Sequence, residues 1–380
     1  MSNKARYRAG VIGCGRIGSG LDDPWFDQNV RDESWRARPC THAGIYMAHP
    51  RIELIAGADT NEDRLNAFSR RWGIGHTYRD YREMLRQERL DIVSITTSSE
   101  QHAEMTIAAA EAGVKAIFCE KPIACSLAEA DEMIRVCEAS QTRLIINHTL
   151  RFHPAAGLAQ KLIETGAIGA LRSMTAYFDR WLIHMGSHLF DLMCLFAGEP
   201  RWVAGHIHGD PSVDTEGTGY IGFASGVIGL FDIRPRAAPA YLELMGATGM
   251  IAYGDDSEMT LRLYQRPASA DPHVKPGLEE RPAPAIPPQS QECVPRQGRF
   301  TTRCAVDEVV ACLDEDRESV SGGRQARWAL EIAMGVYQSH AEGGRIVQLP
   351  LVERRRWIPE SRPFPYPNES AGAAVAGKRP

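Results

Sequence analysis

The sequence predicts an α/β protein of two units: a doubly wound parallel sheet, then an α+β unit built on a large, mainly antiparallel sheet. Three observations carry that reading. Residues 7–147 alternate short β-branched runs with longer amphipathic ones, the pattern of parallel strands joined by crossover helices. After Arg151 the runs become successive strands separated by glycine turns. A chain of 380 residues also exceeds what one hydrophobic core usually serves, about 250–300 residues.

Taken in order, strands are expected at 8–12, 53–58, 92–96, 116–119 and 143–147. Between them, 61–72, 100–112 and 127–139 set Ala, Leu, Ile and Met at helical spacing opposite charged residues. The second unit is expected to hold strands at 171–178, 202–206, 219–223, 226–233, 241–245 and 259–264, with helices over 186–196, 301–314 and 324–342. These elements place a first domain at 1–150 and a second at 151–353. The proline-rich stretch 265–298 and the tail 354–380 bury too little apolar surface to offset the entropy of ordering, so they are expected as a mobile loop and a frayed terminus.

Composition excludes several function classes. With 43% hydrophobic and 24% charged residues and a formal charge of -5, the chain lacks the basic footprint of a nucleic-acid binder. No stretch reaches the roughly 18–20 apolar residues of a membrane span, and the first residues lack the apolar core of a signal peptide. The nine cysteines form no CxxC pair, and Cys14, Cys119 and Cys194 sit inside apolar runs. Reduced thiols and a cytoplasmic location are the expectation.

The strongest local signal is Gly13-Cys14-Gly15-Arg16-Ile17-Gly18, directly after the first strand. There the glycines give a tight turn, close backbone approach to a pyrophosphate, and close packing of helix on strand. Such a run elsewhere is only a glycine-rich turn; the preceding strand makes it a Rossmann dinucleotide site. Asp59, ending the second strand, is the acid expected to hold the ribose hydroxyls, although it lies roughly 40 residues beyond Gly18 instead of about 20. Residues 19–41, with Trp25, Phe26 and Trp35, form an extra piece, expected to fold over the cleft as a lid or to pack on itself as a surface loop. A carboxylate at Asp59 repels a 2′-phosphate, which favours NAD over NADP, with Arg64 as the opposing feature.

Thr97, Ser98 and His102 follow the third of these strands, and Glu120-Lys121-Pro122 the fourth, at the carboxyl ends where open α/β sheets bind ligands. Lys121 alone reads equally as a solvated turn lysine. On the 186–196 helix and the residues just before it, His184, His188 and Asp191 share one face, so the carboxylate could orient a histidine acting as base or acid. The same spacing suits a metal, but HExxH is absent and none is expected. Tyr177, Arg180 and Trp181 precede this helix and could line a polar pocket.

From the glycine motif, the Asp59 strand end, the Thr97–His102 turn, Glu120-Lys121-Pro122, Asn147 with Arg151-Phe152, and Gly186-Ser187-His188-Leu189-Phe190-Asp191, the chain resembles the Gfo/Idh/MocA family of sugar and cyclitol oxidoreductases over roughly residues 6–352. The resemblance implies that Lys121 lies between nicotinamide and substrate and that His188 faces the reacting hydroxyl. It implies that Gly13, Gly15, Arg16, Ile17, Gly18, Asp59, Thr97, Ser98, His102, Glu120 and Lys121 serve the cofactor. Arg151 would either reach substrate or tie the two domains together. Many relatives carry aspartate where this chain has His184. The function implied is reversible hydride transfer between NAD and a secondary alcohol or ketone of a sugar, a sugar derivative such as a nucleotide sugar, or a cyclitol, by a homo-oligomer (dimer or tetramer) joined through the second sheet. Two rivals remain: a redox-neutral enzyme with tightly bound NAD, and a non-catalytic NAD-binding regulator.

Overall fold

The computed structural model describes residues 6–23, 38–179, 181–234, 241–254, 260–267, 277–284, 302–355 and 358. The first sheet contains β1 (Tyr7–Ile12), β2 (Ile52–Ala58), β3 (His76–Tyr78), β4 (Ile92–Ile95), β5 (Ala116–Cys119) and β6 (Arg143–Ile146), in the order β3-β2-β1-β4-β5-β6 and all parallel. The order reverses between β1 and β4, the switch point outside which such sheets open their ligand crevice. Helices α1 (His42–Ala48), α2 (Glu62–Trp72), α3 (Tyr81–Gln87), α4 (His102–Glu111) and α5 (Leu127–Ala139) make the crossovers. Asn61, Asp80 and Ser126 cap α2, α3 and α5, each side chain accepting an amide of its helix's first turn.

The first crossover helix is spliced by the extra piece. His42 N donates to Ile17 O at 3.1 Å and Ala43 N to Gly18 O at 3.0 Å, so α1 continues the turn that leaves Gly18 as though nothing intervened. Asp22 staples the two ends of the excursion, its carboxylate accepting from Cys40 N at 2.8 Å, Thr41 N at 3.1 Å and the Thr41 hydroxyl. Residues 24–37, and with them Trp25, Phe26, Trp35 and the lid expectation, lie outside the described residues.

After α6 (Pro154–Glu164) the second sheet begins. It comprises β7 (Leu171–Asp179), β8 (Pro200–His208), β9 (Glu216–Phe223), β10 (Ile228–Arg234), β11 (Tyr241–Gly246), β12 (Gly249–Gly254), β13 (Leu261–Gln265), β14 (Glu279–Arg281) and β15 (Val347–Gln348), ordered β14-β13-β12-β11-β7-β10-β9-β8-β15. Among the described residues only the central β7–β10 pair of this sheet is parallel; the other pairs are antiparallel. On one face lie α7 (Gly186–Ala197) and α9 (Gly323–Ala341), packed closely where Gly229 meets Met193 and where a Cβ on Gly205 would stand 2.9 Å from Val336. The opposite face is open and carries the exposed Tyr177, Tyr220, Leu230 and Met245.

Helix α8 (Thr302–Glu315) leaves the second sheet and packs on the first, where Ala305, Val306, Val309 and Val310 join Val11, Ile52, Phe118 and Ile145 in one core. The chain then bridges back: Ser321 Oγ donates to Ile146 O at 2.8 Å, and Ile146 N to Ser321 O at 2.9 Å. Strands β3, β12 and β15 and helices α3 and α6 were not legible in the sequence. β12 reads as turns because glycines flank its apolar run, yet it is half of a hairpin with β11. β14 falls inside the stretch expected as a mobile loop; pairing with β13 defines it, since its own side chains are exposed.

Candidate functional site

At the glycine turn, Gly13 adopts φ +95°, a conformation that side chains disfavour, and its amide donates to Ala58 O at 2.8 Å. A Cβ on Gly18 would stand 2.0 Å from Gly13 O, so only glycine lets the start of the helix close onto the strand. Thr96 secures the turn from β4, its hydroxyl donating to Gly13 O at 2.6 Å. The amides of Gly15, Ile17 and Gly18 donate to no backbone acceptor among the described residues. Asp59 stands beside them with its side chain 6% exposed, accepting from Cys14 N and Asn61 N, both at 2.8 Å. Open amides followed by a fixed carboxylate fit a dinucleotide, pyrophosphate at the first and ribose at the second. Arg64 comes within 4.0 Å of Asp59, closer to the ribose position than the sequence indicated.

The two loops beyond β4 and β5 meet next to this turn. Thr97 is half-buried and Ser98 exposed at the end of β4. His102 needs correction as a cofactor contact. It is buried, with Nδ1 2.9 Å from Pro122 O and Nε2 3.3 Å from Thr97 O, so it fastens one loop to the other. Glu120 Oε1 is shared by Asn147 Nδ2 at 2.6 Å and His42 Nε2 at 3.1 Å, and His42 Nδ1 reaches Ser94 Oγ at 2.8 Å. Burial pushes the Glu120 carboxyl up, but the His42 hydrogen bond and charge, with Lys121 and Asn147, outweigh it and hold the group at about 2.

Lys121 reaches across to the second unit. Its Nζ donates to His184 O at 2.9 Å and lies 3.2 Å from His184 Nε2. Burial lowers this amine to about 8 against the opposing pull of Glu120 and Asp214, with Arg16 adding to the lowering. His188, 2% exposed, is held well below the usual histidine value by burial and by Lys121, His148 and His184. Trp181 stacks obliquely near His184, ring centroids 6.2 Å apart.

Three other expectations meet a different geometry. Asp191 does not support His188: Arg151 Nε donates to its Oδ2 at 2.6 Å and Arg151 Nη2 to its backbone oxygen at 2.6 Å, while Oδ1 lies 3.5 Å from His148 Nδ1. Arg151 is itself buried and also bonds Val320 O at 3.2 Å, contacts that fit the tie between chain segments, one of the two roles expected for it. Tyr177 points from the open face of the second sheet, the side away from α7, because strand alternation sends Met174 and Ala176 inward and Tyr177 outward. Arg180 lies outside the described residues. Among the described residues no cluster of three or more His, Cys, Asp or Glu side chains is placed to hold a metal, and no helix is long and apolar enough to cross a membrane.

Sequence reasoning missed His42, Ser94, His148 and Asp214. His148 follows the carboxyl end of β6, a position rule that could have found it; its ring lies edge-on to His188 with centroids 5.6 Å apart. Nothing local marks Asp214, which arrives from the β8–β9 connection.

The buried histidines make the fold acid-sensitive. Burial holds His148 and His153 near 4 and also lowers His102 and His188, whereas unfolded histidine titrates near 6.5. Between these values the unfolded chain binds protons that the folded one refuses, so stability falls as pH drops from about 6.5 towards 4. His148 and His153 each contribute on the order of 3 kcal/mol to that fall. Below about 4.5, Glu120 adds to it, because its depressed carboxyl must also be protonated. Urea midpoints measured across this range are expected to drop steeply below pH 6.5 and to stay flat just above it; a level profile between pH 6.5 and 4 would contradict the burial of neutral imidazoles.

Comparison with known proteins gives a family for both parts of the chain. Residues 7–148 match the model of an oxidoreductase family with an NAD-binding Rossmann fold, and residues 158–252 that of the GFO/IDH/MocA C-terminal domain. D-apiose dehydrogenase of Paraburkholderia graminis is 28% identical over 373 residues, covering 92% of this chain and 91% of the relative. Myo-inositol 2-dehydrogenase of Thermotoga maritima is 26% identical over 285 residues, covering 67% and 78%. Among solved structures, a levoglucosan dehydrogenase in complex with NADH and levoglucosan superposes with a TM-score of 0.73 at 21% identity, over 91% of this chain and 100% of that one, a likeness of fold.

Proposed function

The chain belongs to the Gfo/Idh/MocA family of oxidoreductases, and from that premise we propose that it transfers a hydride between NAD and a secondary alcohol or ketone of a sugar, sugar derivative or cyclitol. The observation that carries the reading is Lys121, drawn out of the first unit to His184 and set against the buried His188 at the crevice end of β5. The relatives named as dehydrogenases of apiose and of myo-inositol support the substrate class.

The residues divide the work simply. When bound, the nicotinamide supplies the hydride acceptor. His188 is neutral, so its imidazole is in the form that takes the hydroxyl proton even though burial and the nearby Lys121 make it a weak base, and the Lys121 ammonium, anchored on His184 O, stabilises charge developing on the substrate oxygen. Trp181 offers an aromatic face for the apolar side of a sugar ring. The open face with Tyr177, Tyr220, Leu230 and Met245 supports self-association with a second copy of the chain.

Incubating the protein with NAD and a panel of aldoses, polyols, inositols, anhydro sugars and nucleotide sugars, with NADH fluorescence and product analysis as paired readouts, tests the proposal. Substrate-dependent NADH with a matching ketone or lactone is the expected result. Product without net NADH would replace it with redox-neutral chemistry, and bound NAD without turnover would make the protein a regulator.

Cofactor choice gives a second test. Asp59→Ser removes the charge that repels a 2′-phosphate, and Arg64 already stands within 4.0 Å to meet that phosphate. Calorimetric titration is expected to show wild-type protein binding NAD more tightly, and the variant shifting the NADP to NAD preference by about 10-fold or more towards NADP. Equal affinities in the wild type would remove Asp59 from the ribose site.

A further inference from the structure

Lys121 is gripped by the turn that leads into α7. Met185 N and Gly186 N close this turn on Trp181 O at 3.2 and 2.8 Å, and the amides within it are fixed from the β8–β9 connection: Leu182 N donates to Thr215 O at 2.7 Å, Ile183 N to Asp214 Oδ1 at 2.8 Å and His184 N to Asp214 Oδ2 at 2.8 Å. Asp214 is 1% exposed. The same residue whose amide meets this carboxylate gives its carbonyl to Lys121 Nζ at 2.9 Å. His184 therefore spans from a buried anion to a half-buried cation, and hydrogen bonds in such a chain polarise one another. Two amides converging on two oxygens require a carboxylate, since an asparagine presents only one acceptor.

The charge around Lys121 supports the same conclusion. It is faced by Glu120 from its own loop, Arg16 from the glycine turn, His184 from the 181–185 turn, His188 from α7, His148 from the end of β6, and Asp214. Only Glu120 and Asp214 in this set are acids, and Glu120 Oε1 is already shared between His42 and Asn147. A buried ammonium is costly without a counter-charge.

We propose that Asp214 is a positioning residue of the reacting centre: its carboxylate fixes the 183–184 backbone that grips Lys121, and it is the second counter-charge to the Lys121 ammonium. This rests on placing Lys121 at the reacting centre. The charge and the clamp act together, because the carboxylate that holds the turn is the one the ammonium feels through the His184 peptide.

The test follows the ε-carbon shift of Lys121 by NMR in full-length, NAD-free protein grown on 13C-lysine. The sequence offers few lysines (Lys4, Lys115, Lys121, Lys161, Lys275 and Lys378), and Lys121→Arg assigns the signal. The wild-type midpoint is expected at about 8. In Asp214→Asn it should fall by about 1 pH unit, as expected when an opposite charge is removed at close range. An unmoved midpoint in folded Asp214→Asn would overturn the proposal and leave Asp214 a loop clamp. If that variant does not fold, Asp214→Glu keeps the charge and should hold the midpoint within about 0.5 unit of wild type, whereas a fall of about 1 unit there would equally overturn it. With an active substrate, the alkaline limb of kcat in Asp214→Asn should move to lower pH. A shifted midpoint in a protein that turns over no sugar would sink the proposed function and spare this inference; turnover with an unmoved midpoint would do the reverse.

Discussion

Replacing Lys121 or His188 by alanine is expected to lower kcat by about 100-fold or more while leaving NAD affinity nearly unchanged, the size of loss usual for removing a positioned proton-transfer or charge-stabilising group. The two side chains approach the crevice from different units, Lys121 from the end of β5 and His188 from α7, and neither belongs to the glycine turn or to the Asp59 strand end. Their losses should therefore appear in kcat and not in calorimetric titration of NAD. Near-normal turnover in His188→Ala would end its assignment as proton acceptor. His184→Asp is the companion variant: it sets a carboxylate beside Lys121 Nζ, now 3.2 Å from His184 Nε2, and so raises the amine's pKa. Activity should survive in His184→Asp, with the alkaline limb of its pH profile moved upwards. Loss of activity there would mean that the imidazole itself takes part in the chemistry.

What the sequence made legible is what depends on local order along the chain. The glycine turn follows its strand directly, Asp59 ends a strand, and Lys121 ends another; each is a position relative to an element, and the elements have clear periods. Residues 19–41 could be set aside because Asp59 lies about twice the usual distance beyond the glycine turn, and the structure restarts α1 on a Thr41 cap. Long-range pairing was not legible. Asp191 is one turn from His188 on the same helix, yet its partner is Arg151, since a guanidinium packed beneath α7 satisfies a buried carboxylate better than a neutral imidazole does. Asp214 and His184 are brought together only by the folding of β8 and β9 against the turn. Tyr177 was misplaced for a smaller reason: one step along a strand exchanges the inner face for the outer.

The Arg151–Asp191 pair is expected to be the most costly buried contact to break. The side chains are 3% and 0% exposed, and the guanidinium bonds the Asp191 carboxylate, the Asp191 backbone and Val320 O, so it joins the segment after β6, α7 and the chain between α8 and α9. Arg151→Met leaves a carboxylate in the core with the His148 ring 3.5 Å away, and Asp191→Leu leaves a guanidinium there. Each single change should cost about 3–5 kcal/mol in urea unfolding, because an uncompensated buried charge remains. The double variant Arg151→Met with Asp191→Leu should cost much less than the sum of the two, since no charge is then left to solvate. Activity separates this reading from the alternative role for Arg151. If it is a tie between segments, folded Arg151→Met assayed well below its unfolding midpoint keeps far more turnover than Lys121→Ala. If instead its unfolding midpoint matches wild type while kcat or KM collapses, Arg151 touches substrate or cofactor, and the ion pair with Asp191 is incidental to stability.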